Sequence, residues 1–496
     1  MVVVGGGNAG MSAALAAAER VQKVLLLERA PFDERGGNTG FTAGAMRFAY
    51  EGAEDLLEIV TDLDEATLAR TDFGSYPESQ FYDDLARVTQ NRCDPELAEI
   101  LVTGSQPAVR WLKSKGMRFL PIYGRQAYAV DNKFTFWGGL TLEVSGGGRG
   151  MVEFLERACR NNGVTTEYGA RGRELIVDSR GIVGIRVERQ SPDGHLQLED
   201  IECSSVVLAS GGFQSNAAWR VSYLGPGWDL AKVRGTRYDT GDGIAMGLAI
   251  GASPAGHWSG CHAVAWDFNA PEYGVLQIGD SFQKHSYPLG IVVNSDGQRF
   301  VDEGADFRNY TYAKYGREIL AQPGQVAWQV FDAKVIDRLR DEYRIRQVSK
   351  VRANTLPELA SKMDGIDEIA FLKTVAEYNG AVRTGDGEFN PNALDGLGTT
   401  GLHPNKTNWA QTIDQGPFEA YAVTCGITFT YGGLRIDNQA HVLNDAGAVI
   451  PGLFAAGEMV GGLFYFNYPG GSGLSNGTVL GRLAGSSAGD RASSRG

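Results

Sequence analysis

Cysteine is scarce in this chain of 496 residues, and its five cysteines are scattered. No two of them form a Cys-x-x-Cys pair, and an odd number does not make a complete disulfide framework. The spacing therefore argues against a disulfide scaffold, a zinc site and an iron–sulfur site, and we expect no metal. This pattern fits a reducing compartment, so we expect a cytoplasmic protein.

Runs of basic residues and long apolar segments are also missing. The net charge is −13 and no cluster of Lys and Arg stands out, so nucleic acid and anionic membranes are not expected partners. No stretch reaches the ~20 apolar residues of a membrane span, and no apolar leader precedes the first predicted strand. We expect no membrane span. An anionic substrate would need a local arginine cluster to overcome the overall negative charge.

Glycine, in contrast, is abundant, with 67 residues, about twice the average usage. The excess lies in short clusters such as Gly36-Gly37, Gly211-Gly212 and Gly470-Gly471. Within an α/β pattern, such clusters indicate close backbone approaches, either at turns or against a large ligand.

The first 28 residues have the pattern of a dinucleotide-binding unit. An apolar run ends in Gly5-x-Gly7-x-x-Gly10, a helical stretch rich in alanine follows, and a second apolar run closes on Glu28. Gly5 permits a tight turn, Gly7 lets the backbone approach a pyrophosphate, and Gly10 lets helix and strand pack closely. The N–H groups at the helix start favour phosphate, and Glu28 suits unphosphorylated ribose, hence NAD or FAD. An ordinary βαβ unit without a ligand is the alternative.

The rest of the chain has an α/β sequence pattern that is interrupted by one segment of different composition. Short apolar runs and helical stretches continue to about residue 256, including a hairpin predicted over 174–202 with its turn at 191–194. Aromatic residues and prolines rise over 257–427, and the α/β pattern returns from 428 to 496. We therefore predict a discontinuous α/β domain, 1–256 and 428–496, with an inserted second domain at 257–427.

Four motifs together resemble one family, the flavoprotein subunits of fumarate reductases, succinate dehydrogenases and aspartate oxidases. The motifs are the amino-terminal glycine turn with Glu28, Gly36-Gly37-Asn38-Thr39 with Thr42-Ala43-Gly44, Ala209-Ser210-Gly211-Gly212-Phe213 with Thr240-Gly241-Asp242-Gly243, and Ala456-Gly457-Glu458 before the last glycine loop. The resemblance implies a Rossmann-type FAD-binding domain interrupted by an α+β capping domain that contributes substrate-binding residues.

The resemblance also implies which residues contact FAD. They are Gly5, Gly7, Ala9, Gly10, Glu28, Arg29, Gly37, Asn38, Thr39, Ala43, Gly44, Gly148, Ala170, Gly211, Asp242, Gly457, Glu458, Ser472, Gly473 and Leu474. Members with a covalent flavin have a histidine at the position of Asn38. Asparagine cannot form that bond, so the resemblance implies a non-covalent FAD.

The chain departs from fumarate reductases at the substrate site, where two histidines and two arginines clamp the dicarboxylate. His262 matches one histidine and Arg308 matches the arginine that acts as general acid, but Phe429 and Tyr468 replace the other two. The Glu/Arg proton relay has no counterpart in 281–287. Fumarate reduction in its usual form is therefore not expected. The candidate catalytic residues are Arg308, Tyr468, His262 and Tyr287.

The loop Tyr468-Pro469-Gly470 occurs in two branches of the family, the 3-ketosteroid dehydrogenases and the tricarballylate dehydrogenases. Residues 457–462 and 467–474 are more similar to the second branch. The expected activity is FAD-dependent oxidation or reduction of a carbon–carbon bond beside a carboxylate or carbonyl, as in conversion of tricarballylate to cis-aconitate. Without a Cys-x-x-Cys or haem motif, electrons are expected to leave through a separate acceptor.

Two alternatives stay open at this point. One is an enzyme acting on an enone such as a steroid, and the other is a flavin-binding protein that has lost turnover. The pocket above the flavin separates carboxylate from ketone, because two or more arginines favour a polycarboxylate and an apolar slot favours a ketone.

Overall fold

The computed structural model describes residues 1–190, 193–383 and 387–495. The strands are β1 (Val2–Val4), β2 (Leu25–Glu28), β3 (Ala45–Met46), β4 (Thr71–Asp72), β5 (Phe119–Pro121), β6 (Ala129–Val130), β7 (Lys133–Thr135), β8 (Leu142–Val144), β9 (Thr165–Tyr168), β10 (Ala170–Asp178), β11 (Gly181–Gln190), β12 (Leu196–Glu202), β13 (Val206–Leu208), β14 (Lys232–Val233), β15 (Pro254–Asp267), β16 (Ile291–Asn294), β17 (Ala327–Phe331), β18 (Lys350–Ala353), β19 (Phe418–Leu434), β20 (His441–Leu443) and β21 (Val449–Ala455). The helices are α1 (Asn8–Ala18), α2 (Ala53–Leu57), α3 (Glu65–Ala69), α4 (Glu78–Val88), α5 (Pro95–Ser114), α6 (Tyr123–Gln126), α7 (Gly147–Asn161), α8 (Ala217–Trp219), α9 (Asp242–Ala249), α10 (Tyr312–Leu320), α11 (Leu356–Lys362), α12 (Glu368–Ala381) and α13 (Ser472–Arg495).

The largest α/β layer is a six-stranded sheet with the order β20-β21-β13-β1-β2-β9. Strand β1 lies between β13 and β2, and all strands of this sheet except β20 run parallel to their neighbours. Every residue of β1 and β13 is buried, which explains their continuous apolar runs, since central strands of a parallel sheet are covered on both faces. The predicted α/β class and Rossmann-type unit are confirmed.

The two ends of the chain meet in this layer. Helix α13 packs along α1, and a Cβ atom added at Gly485 would lie 2.1 Å from the carbonyl oxygen of Ala13. Only glycine allows the helices to approach so closely. The Asn8 amide donates a hydrogen bond to the Leu474 carbonyl (2.8 Å) at the start of α13. The last helix therefore returns to the sheet where the chain began.

A second sheet has the order β14-β19-β17-β16, and β15 and β18 also pair with β19. Strands β15 and β19 run antiparallel, with Pro254 opposite Leu434 and Asp267 opposite Val423. The predicted domain boundaries at 256/257 and 427/428 fall inside these two strands. Thus both strands continue without interruption across the predicted boundaries.

The predicted hairpin at 174–202 lies within an antiparallel sheet of three strands, β10, β11 and β12. Residues Ser191 and Pro192 of its predicted turn lie outside the described residues. Two further small sheets, β3-β8-β5 and β4-β7-β6, precede α7, and helix α6 follows β5.

The described ranges contain neither a candidate membrane-spanning helix nor a candidate metal-binding cluster. No helix there is both long and apolar enough to cross a bilayer. In the same ranges, no group of three or more His, Cys, Asp or Glu residues is arranged to hold a metal ion.

Candidate active site

One large cavity of about 1780 Å³, counting the space open at its mouth, extends from the glycine turn after β1 to the loop that carries Tyr468. It begins at the carboxyl ends of the parallel strands, where ligands bind in open α/β sheets. The predicted cofactor residues that line it are Gly5, Gly7, Ala9, Glu28, Arg29, Gly37, Asn38, Thr39, Ala43, Ala170, Gly211, Asp242, Gly457, Glu458, Gly473 and Leu474. The predicted cofactor residues Gly10, Gly44, Gly148 and Ser472 lie outside this lining.

The glycines of the amino-terminal turn differ in what surrounds them. A Cβ atom at Gly10 would lie 1.8 Å from the Gly5 carbonyl oxygen, so Gly10 is required for α1 to pack against the turn. A Cβ atom at Gly7 would meet no protein atom closer than 3.6 Å and would instead enter the cavity. Gly7 precedes α1 without any side-chain cap. The Asn8 N–H donates to the Thr39 hydroxyl (2.9 Å), and the N–H groups of the next residues in the first turn of α1 are positioned to bind a phosphate.

The three other predicted cofactor residues outside the lining lie behind it. A Cβ atom at Gly148 would lie 2.0 Å from the carbonyl oxygen of Thr39, and one at Gly44 would lie 2.8 Å from the carbonyl carbon of Gly147. These glycines let α7 pack against the segment that carries Asn38 and Thr39. Ser472 is buried at the first residue of α13.

Glu28 ends β2 and faces the glycine turn. Its carboxylate accepts hydrogen bonds from the backbone N–H groups of Gly6 (2.8 Å) and Ala30 (2.7 Å). Burial raises the pKa of Glu28, and these two hydrogen bonds act against that increase. The carboxylate is held in place at the cavity wall, where a ribose hydroxyl would be in reach.

Asp242 starts α9 on the same side of the cavity and is neutralised by two arginines. Arg171 donates to both carboxylate oxygens (2.7 and 3.0 Å), and Arg29 donates to one (3.1 Å). Burial alone would raise the pKa of Asp242, but the arginine contacts outweigh it and lower the pKa. This group is ionised, and its guanidinium partners also face the cavity.

Two buried carboxyl groups, Asp239 and Glu458, share one amide neighbour. The Gln214 amide donates to Asp239 (2.7 Å), and the Thr430 N–H donates to Glu458 (2.9 Å). Burial raises the pKa of Glu458 to about 7 and raises that of Asp239 well above its usual range. The pair therefore retains a proton near neutral pH, which gives the cavity wall both a hydroxyl donor and carboxylate acceptors.

Tyr468 lies at the opposite end of the cavity, in a firmly anchored loop. The Asn467 amide donates to the Tyr310 carbonyl (2.6 Å), and the Gly470 N–H donates to the Asn309 carbonyl (2.8 Å). Tyr468 is buried, lines the cavity, and its hydroxyl hydrogen bonds to that of Tyr312. The segment that follows Arg308 thus positions Tyr468.

Arg308 lines the cavity beside His285. Its guanidinium donates to Nδ1 of His285 (3.3 Å) and to the carbonyl of Arg125 (2.9 Å). Since a guanidinium only donates, the imidazole proton is on Nε2. Burial lowers the pKa of His285 well below its usual value, and the charges of Arg308, Arg234 and Arg125 lower it further. His285 is therefore neutral.

Arg125 and Arg234 also line this end of the cavity, and Asp280 lies between them. Asp280 accepts two hydrogen bonds from Arg125 (2.7 and 2.8 Å) and lies 3.6 Å from Arg234. Burial would raise the pKa of Asp280, but the two arginine charges lower it overall. The lining of this part of the cavity therefore contains three cations and one anion, and the buried Glu342 and Arg340, which do not line it, add one charge of each sign near Arg308.

His262 and Tyr287, both predicted to be catalytic, are buried behind the cavity lining. His262 on β15 pairs with Phe429 on β19, and their rings stack at 5.1 Å. Neither His262 nitrogen has a hydrogen-bond partner within the described part of the chain, and burial lowers its pKa well below the usual range. The Tyr287 hydroxyl is paired with that of Thr311 (2.6 Å). Of the four candidates, Arg308 and Tyr468 reach the cavity.

Sequence reasoning missed several lining residues. Arg125, Arg234, Asp280 and Tyr312 belong to none of the motifs identified in the sequence. A glycine adjoins Arg125 and another adjoins Arg234, but this pattern is too common to serve as a signal. Strand pairing and loop packing bring these residues together.

Comparison with known proteins agrees with this arrangement. The family described as FAD binding domain matches residues 1–474. The fumarate reductase (cytochrome) of Shewanella frigidimarina is 30% identical over 493 residues, covering 98% of this chain and 76% of the relative. The 3-oxosteroid 1-dehydrogenase of Mycolicibacterium smegmatis is 29% identical over 361 residues, covering 67% of this chain and 61% of the relative. A solved flavocytochrome c3 fumarate reductase in its open conformation superimposes with a TM-score of 0.73 at 27% identity, covering 99% of this chain and 78% of that one.

Fold and site together define a flavin-dependent oxidoreductase that acts on carbon–carbon bonds. The chain belongs to the FAD binding domain family, together with fumarate reductases. The cavity fits FAD in three respects: Gly7 leaves the phosphate position open, Glu28 is fixed beside it, and Gly473 and Leu474 in the first turn of α13 line the cavity.

Proposed function

We propose that this enzyme desaturates a polycarboxylate, as in the oxidation of tricarballylate to cis-aconitate. The supporting observation is the charge at the Tyr468 end of the cavity, where the lining contains three guanidinium groups, those of Arg125, Arg234 and Arg308. It contains one carboxylate, that of Asp280, which lies against Arg125 and Arg234. A buried excess of cations is costly without a bound anion, and guanidinium groups bind carboxylates in a two-pronged geometry.

FAD supplies a two-electron acceptor for the hydride that leaves one substrate carbon. Arg308 binds the carboxylate on the neighbouring carbon, and this makes the C–H bond there more acidic. The Tyr468 hydroxyl donates to the developing enolate oxygen. Nδ1 of the neutral His285 takes up the proton once Arg308 has turned its N–H group from that nitrogen to the substrate carboxylate, and the bound carboxylates make the imidazole more basic. The substrate thus loses one hydride and one proton, and a separate acceptor takes up the two electrons.

The FAD is non-covalent in this proposal. The Asn38 side chain is engaged at both ends, donating to the Thr428 carbonyl (2.6 Å) and accepting from the Thr236 N–H (2.9 Å). A carboxamide provides no nucleophile that could bond to the flavin. We also retain the division at 256/257 and 427/428, with the inserted segment as the cap, since Arg308 and Tyr312 come from it.

Anaerobic reduction of the bound flavin tests this function. Tricarballylate should bleach the flavin absorbance, succinate should do so more slowly, and a 3-ketosteroid should leave it unchanged. Bleaching by the steroid but by neither acid would refute the polycarboxylate proposal.

A ketone substrate is the second candidate, and one observation favours it. The hydrogen-bonded hydroxyls of Tyr468 and Tyr312 lie at the cavity and could polarise a carbonyl group. However, a neutral ketone would leave the arginine charges unbalanced. The substrate panel above separates the two candidates.

A further inference from the structure

Arg234 is a buried cation whose hydrogen bonds are incomplete. Its side chain is 9% exposed. Nη1 makes a 3.3 Å hydrogen bond to the Thr428 hydroxyl, and Nε is buried without a hydrogen-bond partner in the described part of the chain. A guanidinium carries five N–H donors, so most of its donors are free to bind a ligand.

The backbone holds Arg234 at the cavity wall. Strand β14 ends at Val233, which pairs with Ile427 in β19, and the Arg234 N–H donates to the Ile427 carbonyl (2.8 Å). The side chain therefore starts from a fixed strand end and reaches the same cavity as Arg308. Position and free donors together are typical of a ligand-binding arginine.

The other arginines are more fully engaged or are already assigned. Arg125 uses both Nη atoms on Asp280. That same carboxylate is 3.6 Å from Arg234, too far for a hydrogen bond. Arg308 has no carboxylate partner in the described ranges, but it contacts His285 and the Arg125 carbonyl. Arg234 is thus, after Arg308, the second guanidinium of this lining that does not hydrogen bond to a carboxylate in the described ranges.

We propose that Arg234 binds a second carboxylate of the substrate, distal to the one bound by Arg308, and so selects polycarboxylates over monocarboxylates. This inference rests on the proposed function. Arg234 substitutes for the clamp positions occupied by Phe429 and Tyr468, but from a different strand. The charges of Arg234 and Arg308 both lower the pKa of His285 and that of Tyr312, which indicates that the two cations lie around the same part of the cavity.

Binding of polycarboxylates to the FAD-loaded enzyme tests the assignment without requiring turnover. Perturbation of the flavin spectrum gives dissociation constants for tricarballylate, succinate and propionate. Loss of one charged hydrogen-bonding pair predicts that Arg234→Gln binds tricarballylate and succinate roughly 10- to 100-fold more weakly, with propionate nearly unchanged. Arg234→Lys should be intermediate, because it retains the charge but loses the two-pronged geometry. The exposed Arg346 offers a matched control, Arg346→Gln.

The outcomes separate this inference from the proposed function. If wild type binds no polycarboxylate, the proposed function fails and the assignment fails with it. If wild type binds tricarballylate tightly but Arg234→Gln and Arg234→Lys do so equally well, only the role of Arg234 is refuted. Equal flavin content and equal unfolding temperature across the variants establish that they fold; if Arg234→Gln does not fold, Arg234→Lys alone decides, and unchanged binding overturns the assignment.

Discussion

Replacement of Gly7 by alanine should weaken FAD binding strongly and leave the fold intact. The added Cβ atom would meet no protein atom closer than 3.6 Å, and the backbone φ of −81° suits alanine. The protein therefore accommodates the methyl group, while the cofactor does not. Overpacking costs about 1–3 kcal/mol, and loss of a charge-assisted hydrogen bond costs about 1.5–3 kcal/mol more. FAD should bind about 10²- to 10⁴-fold more weakly.

Gly10→Ala should behave differently. Its Cβ atom would lie 1.8 Å from the Gly5 carbonyl oxygen, so α1 and the turn must separate even without cofactor. The apoprotein itself should lose at least about 1–3 kcal/mol. Gly380→Ala is the control, because that exposed helical glycine has no atom within 4 Å of an added Cβ.

The assays are thermal unfolding of the apoproteins and titration with FAD. We expect Gly7→Ala to have the unfolding temperature of wild type but a much weaker affinity for FAD. Gly10→Ala should have both a lower unfolding temperature and a weaker affinity. Wild-type FAD affinity in Gly7→Ala would refute the reasoning, since the cofactor would then not pass over residue 7.

Three further predictions concern the flavin linkage, the catalytic tyrosine and pH. Acid precipitation should release all flavin into the supernatant, because Asn38 forms no covalent bond; flavin remaining in the pellet would contradict this. Tyr468→Phe should lower kcat about 10²- to 10³-fold with unchanged FAD content, as for loss of one oxyanion donor, and rapid-reaction kinetics with near-normal flavin reduction would exclude that role. Burial raises the pKa of Glu143 from 4.5 to about 7, so the folded state binds this proton more tightly and stability falls as pH rises from about 4.5 to 7. The loss is on the order of 3 kcal/mol; chemical denaturation across this range should show a flatter profile for Glu143→Gln, and an identical profile would contradict it.

The cofactor end of the site could largely be predicted from the sequence. Strand, glycine turn, helix and Glu28 follow one another within 28 residues, so their relation in space is set by local geometry. Twelve further predicted positions, from Arg29 to Leu474, line the same cavity, and most of them lie in glycine motifs at strand ends or helix starts. The family resemblance indicated that these separate motifs bind one FAD.

The substrate end could be predicted only in part. Arg308 and Tyr468 reach the cavity as expected, but His262 lies behind Phe429, because pairing between β15 and β19 stacks the two rings. Alternation along a strand decides which face a side chain occupies, and the register was not readable from the pattern. Tyr287 also lies outside the cavity lining, and its hydroxyl is hydrogen-bonded to that of Thr311.

By itself, the sequence determined the class of fold and the place of a dinucleotide, because those features depend on contiguous glycines and apolar runs. Only the tertiary structure decided the charge of the substrate cavity. Arg125, Arg234 and Asp280 come from three distant segments, and parallel pairing of β14 with β19 brings Arg234 to Thr428. Such contacts depend on which strands pair and in which register, and this is fixed by burial across the whole molecule rather than by any local run of residues.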